Sequence, residues 1–150
     1  MIPGPDEIKQ CPHCQQLMRQ TTYISSNTFG GVLWTDGKLE APMHSVTPWL
    51  ISCPHCQSLH WIDTLEEIDQ GLIDDDVLND IGRDRYVKEP TQSQYLEALK
   101  LPELDSQKRI YIRTHYWWQG NDIRRNPSNH PPLTKAEREN LFGLIELLNV

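Results

Sequence analysis

Two textures divide the chain. Up to about residue 63, short β-branched and aromatic runs alternate with turn residues; from Thr64 onward, apolar positions recur at helical spacing. In the first part, residues 20–25 (QTTYIS) predict a strand, and Ser26-Asn27 a turn. Residues 29–35 predict a second strand, in which Gly30-Gly31 permit a bulge or a close backbone approach. Asp36-Gly37 is a hairpin signal that asks for positive φ at both central residues, and residues 38–41 return from it. Residues 49–52 (WLIS) predict a further strand.

The second part is marked by helix caps. Thr64-Leu-Glu-Glu67, Thr91-Gln-Ser-Gln94 and Thr134-Lys-Ala-Glu137 each have the form of a capping box, in which the fourth residue reaches back to the first. The first box predicts a helix stopping at Gly71, and residues 74–81 a short second one closed by Gly82. The Thr91 box opens a helix carrying Tyr95, Leu96 and Leu99 that ends before Pro102. Asp105 or Ser106 caps a helix running to Gln119, with Gly120 as its C-terminal residue. The Thr134 box opens the last helix, with Leu141, Leu144, Ile145 and Leu148 at helical spacing. Between these two helices lies a polar loop, NDIRRNPSNHPP. The expected organisation is therefore a β-rich domain over 1–63, an acidic helical connector over 64–90 and an α-helical domain over 91–150.

Composition narrows the class. A hydrophobic content of 37% in 150 residues suits modest cores, one ordinary domain or two small ones. No apolar run approaches the ~20 residues of a membrane helix. MIPGPDEIKQ lacks the basic and apolar regions of a signal peptide, so a cytoplasmic location is expected. The net charge of −7 is concentrated between Thr64 and Pro90, where nine acids face three bases. Such a segment repels phosphate backbones and counts against nucleic-acid binding by the whole chain.

The chemistry lies in a phrase said twice, CPHCQQLM at residues 11–18 and CPHCQSLH at residues 53–60. Each tight turn can present two thiolates, and two such knuckles complete a tetrahedral four-cysteine site for zinc. Cys11, Cys14, Cys53 and Cys56 are all the cysteines of the chain. In a reducing compartment, paired cysteines favour metal over disulfides. The intervening residues 15–52 exceed the usual gap of ~15–20, so hairpins or a decorated hairpin must lie between the knuckles. His13 and His55 read as outward turn residues, and His44 and His60 as substitutes that four thiolates leave unneeded. Leu17 and Leu59, at matching offsets, are expected beneath the metal. Gln15 and Gln57 stand where knuckles often carry glycine.

The same tetrapeptide serves in thiol-disulfide oxidants, where a cysteine at a helix N-terminus is activated by the dipole. Neither copy is followed by a long amphipathic helix, which weighs against redox chemistry. A third reading is single-stranded nucleic-acid binding, through Trp34 and through the interleaved Arg109, Arg113, Trp117, Trp118, Arg124 and Arg125. Against it, Trp34, Trp49, Trp61 and Phe29 are the aromatic mass a small metal domain needs for its core. The arginines can likewise pair with the acidic segment. Asp74-Asp75-Asp76 reads as a solvated face or helix cap.

The order CPHC, NTFGGVLWTDGK, CPHC, then KRIYIRTHYWWQGNDIRR and LTKAERENLFGLIELL resembles a group of uncharacterised bacterial proteins that join an N-terminal zinc ribbon to a helical tail. The resemblance implies helical hairpins and the four cysteines as ligands, and implies no reaction. The expectation is thus an α+β protein: a β-rich zinc ribbon with rubredoxin-like knuckles, then a small α-helical bundle. It holds one structural zinc, has no catalytic role, and recognises another protein. A homo-oligomer through the aromatic helix around Trp117 stays open, and no membrane is involved.

Overall fold

The computed structural model describes residues 1–149 and mixes short strands with helices. The chain separates into two compact units, Met1–Glu89 and the part from Pro90 onward.

The first unit is built of short antiparallel pairings. Its strands are β1 (Ile2–Pro3), β2 (Glu7–Gln10), β3 (Leu17–Gln20), β4 (Tyr23–Ser25), β5 (Val32–Leu33), β6 (Leu39–Glu40), β7 (Leu50–Ser52), β8 (Leu59–Trp61) and β9 (Glu67–Ile68). The sequence predicts one strand over residues 20–25, but the run breaks at Thr21-Thr22. Gln20 closes β3, while β4 turns away to pair with β1. Each CPHC sits at the tip of its own hairpin. β2 pairs with β3 from Glu7↔Gln20 to Gln10↔Leu17, and β7 pairs with β8 from Leu50↔Trp61 to Ser52↔Leu59. Between the knuckle hairpins lie β4, paired with β1, and the small β5–β6 hairpin. At its turn Gly37 alone takes positive φ (83°), and the Asp36 carboxylate instead accepts a bond from the Lys38 amide (3.1 Å). That is a type I turn with a glycine bulge, in place of the mirror-image turn the dipeptide suggests.

The Thr64 box opens no helix. The Thr64 hydroxyl donates to the Trp61 carbonyl (2.7 Å), Leu65 is buried, and β9 adds to β2 as Ile8↔Ile68 and Lys9↔Glu67. A helix here would withdraw both Leu65 and Ile68 from these places. The acidic stretch keeps one short helix, α1 (Asp75–Asp80). Arg19 of β3 donates from Nε to the Ile81 carbonyl (2.8 Å) and from Nη2 to that of Leu78 (2.6 Å), supplying the cation the helix end lacks. Beyond it, residues 86–88 run between the two hairpins. The Val87 amide donates to Arg19 (2.9 Å), and Ser52 and Lys88 exchange two backbone bonds (2.8 and 3.1 Å).

The second unit holds α2 (Gln92–Ala98), α3 (Ser106–Asp122) and α4 (Lys135–Leu148). Both halves of the capping box are made at Thr91/Gln94 and at Thr134/Glu137, and Asp105 caps α3. Helix α3 runs past its predicted end. Gly120 lies inside it, fully packed, because a Cβ there would stand 2.7 Å from Gln92 Nε2 and against Glu137 Oε1. Absence of a side chain lets Glu137 approach. On helix α4 only part of the apolar row is covered. Its buried residues are Glu137, Asn140 and Leu144, while Phe142, Ile145 and Leu148 face outward. The polar residues win the inner face because each has a partner there. Glu137 accepts two bonds from Arg124 (3.0 and 2.9 Å), and Asn140 binds the Arg113 guanidinium (3.3 Å) and carbonyl (2.9 Å).

Burial alone would raise the Glu137 carboxyl, but hydrogen bonds from Arg124 and the Thr134 backbone outweigh it and hold it down to about 2. An ordinary glutamate titrates near ~4.3. The ion pair therefore contributes fully above about pH 4.3 and is lost as pH falls from there through about 2. Glu137→Gln is expected to cost about 3–5 kcal/mol at pH 7, since it strands a buried guanidinium. It should also flatten the acid limb of stability. Urea unfolding of the full chain between pH 2 and 7 measures both; an unchanged acid limb contradicts the assignment.

Candidate metal centre

Each knuckle is made by the same backbone. The Gln15 amide donates to the Cys11 carbonyl (2.9 Å) and Cys11 to Gln16 (3.0 Å); Gln57 donates to Cys53 (3.0 Å) and Cys53 to Ser58 (2.9 Å). Closing so tight a turn requires left-handed backbone one residue past the second cysteine. Gln15 (φ 63°) and Gln57 (φ 61°) both adopt it, where glycine would be unstrained. The Gln15 side chain offsets part of that cost by donating to the Pro12 carbonyl (3.0 Å).

The two tips meet. Cys11 Sγ lies 3.8 Å from Cys56 Sγ, Cys14 Sγ lies 3.8 Å from Cys53 Sγ, and all four sulfurs fall within 4.8 Å of one another. The contacts cross between knuckles, so neither half forms the cluster alone. A tetrahedron with metal–sulfur bonds of about 2.3 Å has edges of about 3.8 Å. A disulfide needs about 2.05 Å, and all four cysteines are free. Among the described residues these four form the one group of histidines, cysteines and carboxylates placed to hold a metal ion. His44 and the Asp74–Asp76 triplet lie outside it.

The surroundings are apolar on one side. Met18, Ile51 and Leu65 form a buried cluster with Cys11 and Cys53, and Ile62 and Val87 pack against it. Leu17 and Leu59, expected beneath the metal, are half-buried and outside that cluster. Strand alternation explains the difference at the first knuckle: Met18 takes the buried position and Leu17 the other face. Of the tryptophans, Trp61 is buried and packs at a tilt against Trp49 (centroids 4.7 Å, 58° between planes), while Phe29, expected in the core, is 83% exposed.

Polar neighbours lie on the other side. Ser58 Oγ is 2.9 Å from Cys56 Sγ and 3.5 Å from Cys11 Sγ. His60 Nε2 is 2.7 Å from Ser58 Oγ and 3.5 Å from Cys11 Sγ. The His55 amide donates to Cys53 Sγ (3.4 Å), and its ring Nε2 donates to the Leu17 carbonyl (3.2 Å), tying the second knuckle to the first hairpin. His13 is exposed as expected, whereas His55 is half-buried. Sequence reasoning passed over Ser58 and read His60 only as a substitute ligand, not as the partner of Ser58. The signal was the difference between the two repeats, Ser58 for Gln16 and His60 for Met18.

Four thiols at this separation cannot ionise alike. Burial raises all four; at Cys11 the Ser58 hydroxyl and the Cys14 and His13 amides overcome it and bring the thiol to about 5. Cys56 is lowered as well, while burial keeps Cys14 raised and drives Cys53 up to about 12. A divalent cation at the centre would deprotonate the whole set.

The remaining candidate residues do not gather into one site. Trp34, in the first unit, stands half-buried at the β5–β6 turn and donates to Glu40 (3.0 Å). In the second unit, Arg124 and Arg125 each have a carboxylate partner. They bind Glu137 and, at 2.9 Å, Asp122. Arg113 lies against Gly143, and a Cβ there would come 2.7 Å from its Nη1. Arg109 is exposed, Trp117 half-buried, and Trp118 packs on His115 (centroids 4.9 Å). No protein-family model matches the chain, and no curated protein or solved structure matches it.

Because Gln57 holds left-handed backbone, Gln57→Gly is expected to stabilise the fold by about 0.5–1 kcal/mol. Gln15→Gly relieves the same backbone conformation but gives up the bond to Pro12. Thermal melts of both variants measure the gains, and destabilisation by Gln57→Gly would contradict the strained-turn reading.

Proposed function

We propose that this protein is a non-catalytic zinc-binding module, in which one structural zinc ion joins two knuckles of a zinc ribbon whose scaffold is presented to another protein. The observation that carries the reading is the sulfur tetrad, with two cross-knuckle edges of 3.8 Å and all four sulfurs within 4.8 Å. That spacing leaves room for a single ion. Tetrahedral sulfur ligation suits zinc, or iron in its place. Four protein thiolates fill a tetrahedral shell and leave no position for substrate or activated water, which favours a structural role.

Support for a protein partner is of a different kind. Phe29, Leu33 and Val46 are each more than two-thirds exposed in the first unit, an apolar display that suits protein contact. The acidic charge of residues 64–90 disfavours a phosphate backbone, and the ion pairs of Arg124 and Arg125 occupy two of the cations nucleic acid would need. Among the described residues no helix is long and apolar enough to cross a membrane. The second unit, read as a small helical bundle, keeps Arg113, Arg124 and Arg125 half-buried, with Arg109 and Arg138 exposed.

Elemental analysis of the full chain is expected to find one zinc per chain. Cobalt substitution should give the intense sulfur-to-metal absorption of tetrahedral thiolate ligation. Chelation should lower the melting temperature and expose all four thiols to alkylation. A metal-free protein with an unchanged melt overturns the zinc reading. Metal content together with salt-sensitive binding to single-stranded oligonucleotides would instead move the partner from protein to nucleic acid.

A further inference from the structure

The two knuckles form a pseudo-symmetric pair, and the symmetry fails at one place. Cys14 and Cys56 are equivalent by position: each is the second cysteine of its knuckle, each is half-buried, and each touches the first cysteine of the opposite knuckle at 3.8 Å. Only Cys56 has a hydroxyl against its sulfur, at 2.9 Å, because Ser58 stands where the first knuckle has the exposed Gln16. His60, standing where the first knuckle has Met18, holds that hydroxyl at 2.7 Å. A hydroxyl has one proton to donate. Next to metal-bound thiolates, which only accept, that proton points at Cys56 Sγ while the His60 Nε2–H donates to Ser58 Oγ. Cys11, 3.5 Å from both groups, is fully buried, as is Cys53.

We infer that the Ser58–His60 pair makes the tetrad chemically unequal, leaving Cys14 as the thiolate through which the site reacts with soft electrophiles. This rests on the four-thiolate reading above. Sulfur nucleophilicity falls when a donor shares its electron density, and access falls with burial. Burial removes Cys11 and Cys53, and the Ser58 hydroxyl quiets Cys56. With a maleimide, the Cys14 sulfur gives an electron pair to an alkene carbon and forms the S–C bond. The displaced π pair, held as an enolate, takes a proton from water. The thioether left behind is neutral and a weaker ligand, so modification at this one residue loosens the metal.

The test uses full-length protein loaded with one equivalent of zinc and sub-stoichiometric N-ethylmaleimide, with labelled peptides quantified by mass spectrometry and zinc release followed by a chromogenic chelator. Cys14 is expected to label about tenfold faster than Cys56, the difference one hydrogen bond to a charged group supplies. Ser58→Ala should raise the Cys56 rate to that of Cys14. Gln16→Ser, at an exposed position, should slow Cys14. Equal rates in the wild type, or a Ser58→Ala profile like the wild type, overturns the inference while leaving the metal site in place. A wild type that takes up neither zinc nor cobalt overturns both.

Discussion

Everything in the first unit depends on bringing four sulfurs within 4.8 Å from positions 11–14 and 53–56. Without a cation that arrangement is electrostatically awkward. The thiols are pushed in opposite directions, Cys11 down to about 5 and Cys53 up to about 12. Burying them is tolerable because a central charge would compensate all four at once. The strands are too short to supply that cohesion. The longest have four residues, and several pairings have two. Such ladders are marginal alone, so the tetrad and the apolar cluster of Met18, Ile51 and Leu65 are the natural centre of the unit.

The stitching between hairpins follows from the same constraint. Two knuckle tips need fixed relative positions if their sulfurs are to interleave. Residues 86–88 provide this through backbone bonds to Arg19 on one side and Ser52 on the other. The His55 ring adds a bond from the second knuckle to the Leu17 carbonyl. Arg19 then reaches from the same strand to the end of α1 and to Asp6. The acidic stretch is thereby built into the first unit by its two ends, β9 at one and residues 86–88 at the other.

What could be read from the sequence was whatever a few neighbouring residues decide. The Thr91 and Thr134 boxes form as written because their partners lie three residues away. The cysteine tetrad was legible because two copies of one phrase account for every cysteine. The failures share another cause. Thr64 has the letters of a cap, but Leu65 and Ile68 are claimed by distant partners, the cysteine cluster and β2. Gly120 looks like a helix stop, but its meaning is the approach of Glu137, seventeen residues on. In α4 the apolar spacing shows a helix but not its covered face, where Glu137 and Asn140 share the buried positions with Leu144. Ser58 went unread, and His60 was taken for a spare ligand, for a subtler reason. The repeats were read for what they share, and the polar edge of the site is what they do not share.

The two units thus hold together by opposite means. In the second, a carboxylate and a guanidinium are desolvated together. They are stabilised because Gly120 leaves room and the Thr134 cap, Gln92 and the Gly120 carbonyl satisfy their remaining bonds. In the first, four like groups are desolvated together, and no salt bridge among the described residues supplies the opposite charge at their centre. The nearest polar side chains, Ser58 and His60, reach only the Cys11–Cys56 edge. A buried network completed from within asks for no ligand, whereas one completed on a single edge asks for a cation. By that comparison, the knuckles are where a metal ion can be held, and the half-buried Arg113 and Arg124 serve the packing of the second unit.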